Sequence, residues 1–440
     1  MPLHPVLLEK LNATLASDAA PQFTRRDIRL PAVKGKVHAV IGMRRAGKTT
    51  FLQQLLAERR KDSPRERAIY LSFDDDRLAE LDLDQLGQLL EEYYRRFPAL
   101  RRKEKVLWFL DEIQMVAGWE RFVRRVMDSE QVEFVVSGSS ARMLSREVHT
   151  SLRGRGMETI VRPFSFREFL RHRDEEPSVG PLHWTSPQRS LVEMRFREFL
   201  VEGGFPEAQK LAPVWQAQLL QGYVDTVLFR DVVERYGISQ VAALRWLTRH
   251  CLRNPAGSFS AHRLYHDLRS QGHGVAKDAV HALLGHLLDA FLISAVPLAT
   301  ESERRRNSNP RKVYPADPGL IPAFDTTGRT NLGHALETAV LNELERRGAQ
   351  VEYVKTDTGL EVDFHSRVIT GKVQLIQVCA DMTDPETAAR ELRALQAASK
   401  LFPRATRHVL TLTRDRIPVQ VPKGILVQTV YEWMLADEPA

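Results

Sequence analysis

Residues 42–49 read Gly-Met-Arg-Arg-Ala-Gly-Lys-Thr, the spacing G-x-x-x-x-G-K-T of a loop that wraps phosphate. Each residue type has a task there. Glycines let backbone N–H groups close around the anion, and a helix N-terminus just behind them adds positive potential. Lys48 then bridges the β- and γ-phosphates, and the Thr49 hydroxyl ligates Mg²⁺. A β-branched run before the loop and a helical stretch after it supply the expected strand–loop–helix setting. The expected nucleotide contacts are therefore Gly42, Arg44, Arg45, Ala46, Gly47, Lys48, Thr49 and Thr50, with ATP and Mg²⁺ as the bound species.

Residues 106–112, Val-Leu-Trp-Phe-Leu-Asp-Glu, are an apolar run ending in two carboxylates. Alone, such a pair would read as a solvated strand end. Following a phosphate loop by about 60 residues, it reads as catalytic machinery. Asp111 is expected to hold Mg²⁺ through water and Glu112 to polarise the attacking water, since phosphoryl transfer to water needs an oriented nucleophile more than a strong base. The next apolar run, 132–137, ends in Gly138-Ser139-Ser140, where Ser139 is the candidate for reaching the γ-phosphate. Further on, Leu152-Arg153-Gly154-Arg155 offers Arg155, placed to neutralise charge on a neighbouring subunit's nucleotide if the protein forms a homo-oligomer.

These groups need a scaffold. Between positions 36 and 169, five β-branched or aromatic runs (37–41, 68–73, 106–110, 132–137 and 157–162) alternate with helical stretches, the pattern of a mainly parallel sheet covered by helices. The fold class expected is α/β. Residues 167–236 read as mostly helical, interrupted by Gly203, Gly204 and Pro206, and suggest a helical lid. Three helix-sized segments (242–253, 260–270, 276–290) and a strand at 291–296 suggest a helix-turn-helix module with a β-wing. The wing tip would carry Arg304, Arg305, Arg306, Arg311 and Lys312, a basic cluster suited to DNA phosphates. The domains expected are thus a core at 1–165, a lid at 166–238, the winged module at 239–325 and a last α/β domain at 326–440.

Composition agrees with a globular chain acting on a polyanion. The 440 residues carry a net charge of +7, with 43% hydrophobic and 27% charged residues. No apolar run approaches the roughly 18–20 residues of a membrane span. The N-terminus has no basic segment followed by an apolar one, as a secretory signal would, so cytoplasmic residence is expected. Cys251 and Cys379 stand far apart, without the spacing of a disulfide framework or a zinc site. No Asn-Lys-x-Asp guanine reader follows the core, which favours ATP over GTP.

With these residues in view, the chain resembles bacterial and archaeal AAA+-type ATPases that carry a C-terminal domain of long-unassigned function. The likeness rests on the phosphate loop, Leu110 to Gln114 (L-D-E-I-Q), Gly138 to Ser140 (G-S-S), Leu152 to Arg155 (L-R-G-R) and Arg162 to Leu170 (R-P-F-S-F-R-E-F-L). It extends to Glu202 to Glu207 (E-G-G-F-P-E), Phe229 to Val232 (F-R-D-V) and Glu361 to Phe364 (E-V-D-F). The resemblance implies that Gly204 and Pro206 touch adenine from the lid. It also implies a final domain like the restriction-endonuclease fold, with Glu337, Asp363 and Gln377-Val378-Cys379 at the places of its acidic and Glu-x-Lys residues. Cys379 stands where that pattern has lysine, so a degenerate site that binds without cutting is expected. The reading that follows is an ATP-binding and ATP-hydrolysing protein acting on DNA with weak sequence specificity. The alternatives are a slow nucleotide-controlled switch with a protein partner and an ATP-gated nuclease.

Overall fold

The computed structural model describes every residue except 1, 17–21, 139–151, 153, 327, 329, 330, 370, 417–420 and 437–440. The chain divides into two compact units, Met1–Arg162 and Pro163–Ala440.

In the first unit, strands β1 (Val37–Ile41), β2 (Ala68–Ser72), β3 (Val106–Asp111), β4 (Val132–Ser137) and β5 (Gly156–Ile160) form one sheet in the order β2-β3-β4-β1-β5. All pairings are parallel. The strands read as nearly unbroken apolar runs because helices cover both faces of a parallel sheet. Trp108, Phe109, Phe134 and Ile69 are accordingly buried. The helix Lys48–Lys61 follows β1, and the helices Leu83–Arg96 and Trp119–Ser129 fill the other crossovers. Because every strand points the same way, the C-terminal ends of β1 and β3 open on one edge of the sheet. The phosphate loop and Asp111 must therefore meet there. The N-terminal helix Pro5–Ala16 buries Leu7 and Leu11, and Thr14 Oγ1 accepts the Tyr70 N–H at 3.0 Å.

The second unit begins with the helix Phe166–His172, held by a reciprocal cap. Ser165 Oγ accepts the Glu168 N–H at 3.1 Å, and Glu168 Oε2 accepts the Ser165 N–H at 3.0 Å. It continues through the helices Ser186–Glu202 and Pro213–Thr226 into a π-helical turn, Val227–Val233. The helix Val241–Arg253, strand β6 (Gly257–Phe259), helices Ala261–Ser270 and Lys277–Asp289, and strands β7 (Ile293–Val296) and β8 (Arg311–Pro315) follow. The three strands pair antiparallel in the order β6-β8-β7.

After the helix Leu332–Arg346, strands β9 (Gln350–Lys355), β10 (Glu361–Arg367), β11 (Val373–Cys379), β12 (Thr406–Thr411) and β13 (Ile425–Thr429) make a five-stranded mixed sheet. β9-β10-β11 are antiparallel, and β11-β12-β13 are parallel, with the helix Pro385–Leu401 as the crossover from β11 to β12. The helices expected to stand apart as a lid do not pack alone. Phe166, Phe169, Phe196 and Phe199 share one core with Leu336, Phe364, Leu410 and Tyr431, because their apolar face finds its partner on the helix and sheet of the C-terminal region.

Candidate functional site

The loop between β1 and the helix Lys48–Lys61 has the backbone that phosphate wrapping requires. Arg45 and Gly47 both have positive φ, 67° and 96°. Gly47 caps the helix with no side-chain hydrogen bond, so the first-turn N–H groups are not tied up by a side-chain cap and suit an anion. Gly42 is fixed by space as well as by its φ of 145°, since a Cβ there would lie 2.1 Å from the carbonyl oxygen of Val161, the residue just after β5. Lys48 is buried, and its Nζ donates to the Gly42 and Met43 carbonyls at 3.1 Å each, arching over the loop.

Opposite the loop, Asp111 is 2% exposed at the end of β3. Its Oδ2 accepts the Thr49 hydroxyl at 2.8 Å and the Tyr70 hydroxyl at 2.7 Å, and its Oδ1 accepts the Ser137 hydroxyl. Three O–H donors compensate one buried carboxylate. Thr49 and Asp111 thus present oxygen atoms to one small volume beside the helix N-terminus, a donor set that fits a hard, hydrated cation such as Mg²⁺. Burial, then the charge of Asp111, pushes the Tyr70 phenol well above its ordinary value, so it stays a donor. Glu112 takes a left-handed backbone, φ 56°, which turns its side chain out of the strand direction. Its N–H donates to Ser137 Oγ at 3.2 Å, and its Oε2 accepts the Gln114 amide at 2.5 Å.

Arg26 adds a support absent from the motif. This residue is 6% exposed, with Nη1 donating to Ala46 O at 3.0 Å and Nη2 to Arg162 O, which ties the loop to the chain beyond β5. Tyr70, Ser137 and Arg26 were all missed by sequence reasoning. Each acts through partners 20 to 136 positions away, for which a single sequence carries no signal.

The remaining expectations divide. Ser139 lies outside the described residues. Arg155 lies at the start of β5, where its carbonyl accepts the Val37 N–H at 2.8 Å, at the edge of the sheet opposite the phosphate loop. Its guanidinium is paired with Asp128 at 2.5 Å. It cannot serve its own loop, so any role at a nucleotide would be on another copy. Pro206 opens a 3-10 turn in the second unit, and neighbouring Gly204 donates its N–H to Asp317 Oδ2 at 2.8 Å while its carbonyl accepts Phe164 N–H at 2.7 Å. Asp317 is fully enclosed and accepts Gly319 N–H as well; burial pushes its carboxyl up to about 6.

The basic wing is corrected. Residues 303–308, in the connection between the antiparallel strands β7 and β8, form a short helix, Glu303–Ser308, with Ser302 as its cap. Arg304, Arg305 and Arg311 are exposed, but Arg306 pairs with Glu352 at 2.6 Å. Lys312 is 5% exposed, because β8 is the central strand of its sheet and carries the side chain inward to carboxylates on β10. A different basic face is present. Arg245, Arg249 and Arg253 recur every fourth residue along the helix Val241–Arg253 and line a groove of about 730 Å³ together with Trp246, His250 and His273. The i, i+4, i+8 spacing of these arginines places them on one helix face.

The expected acidic residues do assemble around Lys312. Its Nζ lies 2.7 Å from Glu361 Oε1 and 3.1 Å from Asp363 Oδ1. Burial alone would lower the Lys312 ammonium, but Asp363, Glu337 and Glu361 together raise it. Burial and then the Asp363 charge push the Glu337 carboxyl well above its ordinary value. Cys379, on the last residue of β11, donates its thiol to Asp381 O at 3.1 Å, and burial pushes it up to about 11.

Among known proteins, residues 34–170 match the model of a AAA domain, and residues 193–331 match a domain of unknown function (DUF8612). An uncharacterized protein of Methanocaldococcus jannaschii is 33% identical over 381 residues, 85% of this chain and 81% of that protein. An uncharacterized protein of Haemophilus influenzae is 26% identical over 333 residues, 75% of this chain and 79% of its own length. Among solved structures, a Walker-type ATPase of Pyrococcus abyssi is 17% identical, with 66% of this chain and 90% of that one covered at a TM-score of 0.39. The described residues contain no helix long and apolar enough to cross a membrane. With 33% identity across 81% of the archaeal relative and a AAA domain at 34–170, the chain belongs to the family of the Methanocaldococcus jannaschii protein, built on a P-loop AAA+-type core.

Proposed function

We propose that the protein binds and hydrolyses ATP and uses the cycle to act on DNA. The observation that carries the first half is the Thr49–Asp111 hydrogen bond of 2.8 Å beside an uncapped helix N-terminus, with Lys48 arched over the loop. In this reading Mg²⁺, when bound, neutralises phosphate charge. The chain's own residues do the rest: Thr49 and Asp111 hold the cation, Lys48 exchanges its loop carbonyls for phosphate oxygens, and Glu112 orients water. Ser137 and Tyr70 hold Asp111 in place, and Ser137 links it to the Glu112 backbone. Ser139 remains a candidate for contact with the γ-phosphate, and Arg155 for a contact across a homo-oligomer.

The second half rests on the second unit. The order helix, strand, helix, helix, strand, strand over 241–315 supports a winged-helix reading. The arginine-lined groove on Val241–Arg253, with Arg304, Arg305 and Arg311 exposed elsewhere, supports backbone-led, salt-sensitive binding of duplex or branched DNA. The helix, three antiparallel strands, crossover helix and parallel strand over 332–411 support the endonuclease-like reading of the last domain. Cytoplasmic residence goes with this reading.

The test is ATP turnover by the full chain with and without duplex, single-stranded and four-way DNA, at low and high salt. Several-fold stimulation is expected, absent in Glu112→Gln and reduced in Arg245→Glu/Arg249→Glu. Intact turnover that no DNA stimulates would refute the DNA role and leave a nucleotide switch with a protein partner.

A further inference from the structure

The helix Val241–Arg253 buries Leu244, Leu247 and Cys251 and turns two other stripes away from that core. Arg245, Arg249 and Arg253, all exposed, recur with a step of about 6 Å along the axis. Trp246 and His250, one position further on, are partly buried, and their rings stack at 5.1 Å between centroids with 16° between planes.

The arginines are oriented without being neutralised. Arg245 lies over the Phe229 ring, 4.8 Å from its centroid, and Arg253 Nε donates to the Phe324 carbonyl at 2.8 Å. A ring face and a carbonyl oxygen position a guanidinium and leave its charge in place. The same arginines line a second, smaller cavity of about 260 Å³, whose wall includes Asp225 and Asp325. The groove of about 730 Å³ that holds Trp246 and His250 has no carboxylate among the described residues that line it. An anion is therefore drawn to the larger of the two.

The aromatic pair decides which anion. Burial holds the His250 imidazole below its ordinary value, so both stacked rings are uncharged at neutral pH. Uncharged rings beside a row of cations suit a ligand that alternates flat rings with phosphates. In a duplex each base is covered by its stacked neighbours and shows only its edges in the grooves, so it has no face to offer. The bases of an unpaired strand do, and the step between the arginines is close to that between successive phosphates of one extended strand.

We propose that the groove on Val241–Arg253 takes an unpaired DNA strand, with successive phosphates on Arg245, Arg249 and Arg253 and a base stacked on the Trp246–His250 pair. The inference rests on the DNA reading above and narrows it: this helix meets the single-stranded part of branched or opened DNA. Stacking tolerates any base, in keeping with weak sequence specificity. The helix that would enter a duplex groove in a winged module, Lys277–Asp289, is a different element.

Fluorescence anisotropy of the full chain tests this with three labelled ligands: an oligothymidylate, a strand of the same length and charge with abasic sugars in place of nucleosides, and a duplex. The oligothymidylate should bind tenfold or more tighter than the abasic strand, since the two differ only in stacking bases. Trp246→Leu should abolish that preference while leaving affinity for the abasic strand and the duplex as in the parent, and Trp246→Phe should retain most of it. Arg249→Gln should weaken both single strands alike and lower the salt slope by about one. Binding of none of the three would remove the DNA reading together with this site. Binding without base preference, a preference indifferent to Trp246→Leu, or a loss that falls equally on the duplex overturns the site and leaves the DNA reading standing. Photocrosslinking of the parent chain to an iodouracil strand, mapped by mass spectrometry, needs no variant. Crosslinks at Trp246 or His250 are expected, and crosslinks confined to other segments overturn the proposal even where Trp246→Leu does not fold.

Discussion

Replacing Gly42 with alanine asks the sheet to make room for one methyl group. Its Cβ would sit 2.1 Å from the Val161 carbonyl oxygen and 3.1 Å from the carbonyl carbon. A carbon–oxygen contact that short must open by about 1 Å. The atoms that would have to move belong to a backbone pair, in which the Val161 N–H donates to Ile41 O at 2.7 Å, so no flexible side chain can absorb the shift. Overpacking of this kind costs ~1–3 kcal/mol. The φ of 145° is one that an L side chain rarely adopts and adds ~1 kcal/mol. The expected loss of about 2–4 kcal/mol should lower the melting temperature of the first unit by about 5–15 °C.

The same displacement opens the phosphate loop at its first residue, so affinity for a fluorescent ATP analogue should fall tenfold or more, about 1.4 kcal/mol or above. Gly35→Ala is the control. Gly35 has φ 70° but nothing within 4 Å of a Cβ, so it carries the conformational cost of ~1 kcal/mol without the collision. Its nucleotide affinity should match the parent's. Equal melting losses for the two variants, or unchanged ATP affinity in Gly42→Ala, would refute the steric argument.

Two further outcomes follow from the buried carboxylates. Tyr70→Phe keeps the ring but removes the 2.7 Å donor to Asp111, so hydrolysis at saturating Mg²⁺ should fall only a few-fold while the Mg²⁺ concentration needed for half-maximal turnover changes; turnover that depends on Mg²⁺ as in the parent would show that this hydroxyl does not position Asp111. Asp317 has a folded value of about 6, above its ordinary 3.8, so the folded state binds the proton more tightly than the unfolded chain. Its contribution is most favourable below about pH 4, declines as pH rises to about 6, and then levels off after a loss of about 3 kcal/mol. Denaturant melts at pH 4.5 and 7 should show that slope in the parent and a flatter one in Asp317→Asn, whose side chain does not titrate; equal slopes would rule out Asp317 as the source.

What the sequence settled by itself was local in physical origin. The phosphate loop needs its glycines, lysine and threonine within eight consecutive residues, and the strands of a parallel sheet announce themselves as short apolar runs, so β1 to β4 fall within a residue of expectation. Only the tertiary structure decided which distant groups meet. Tyr70 and Asp111 are joined across neighbouring parallel strands, and Arg26 reaches the loop from a segment without regular structure. Lys312 is the sharpest case. In sequence it belongs to a run of exposed arginines and looks like part of a solvent-facing basic patch. Its place on the central strand of β6-β8-β7 instead buries the ammonium against Asp363, 51 positions later. Burying a charge is costly unless an opposite charge meets it, and where that partner stands is fixed by how strands pack rather than by spacing along the chain.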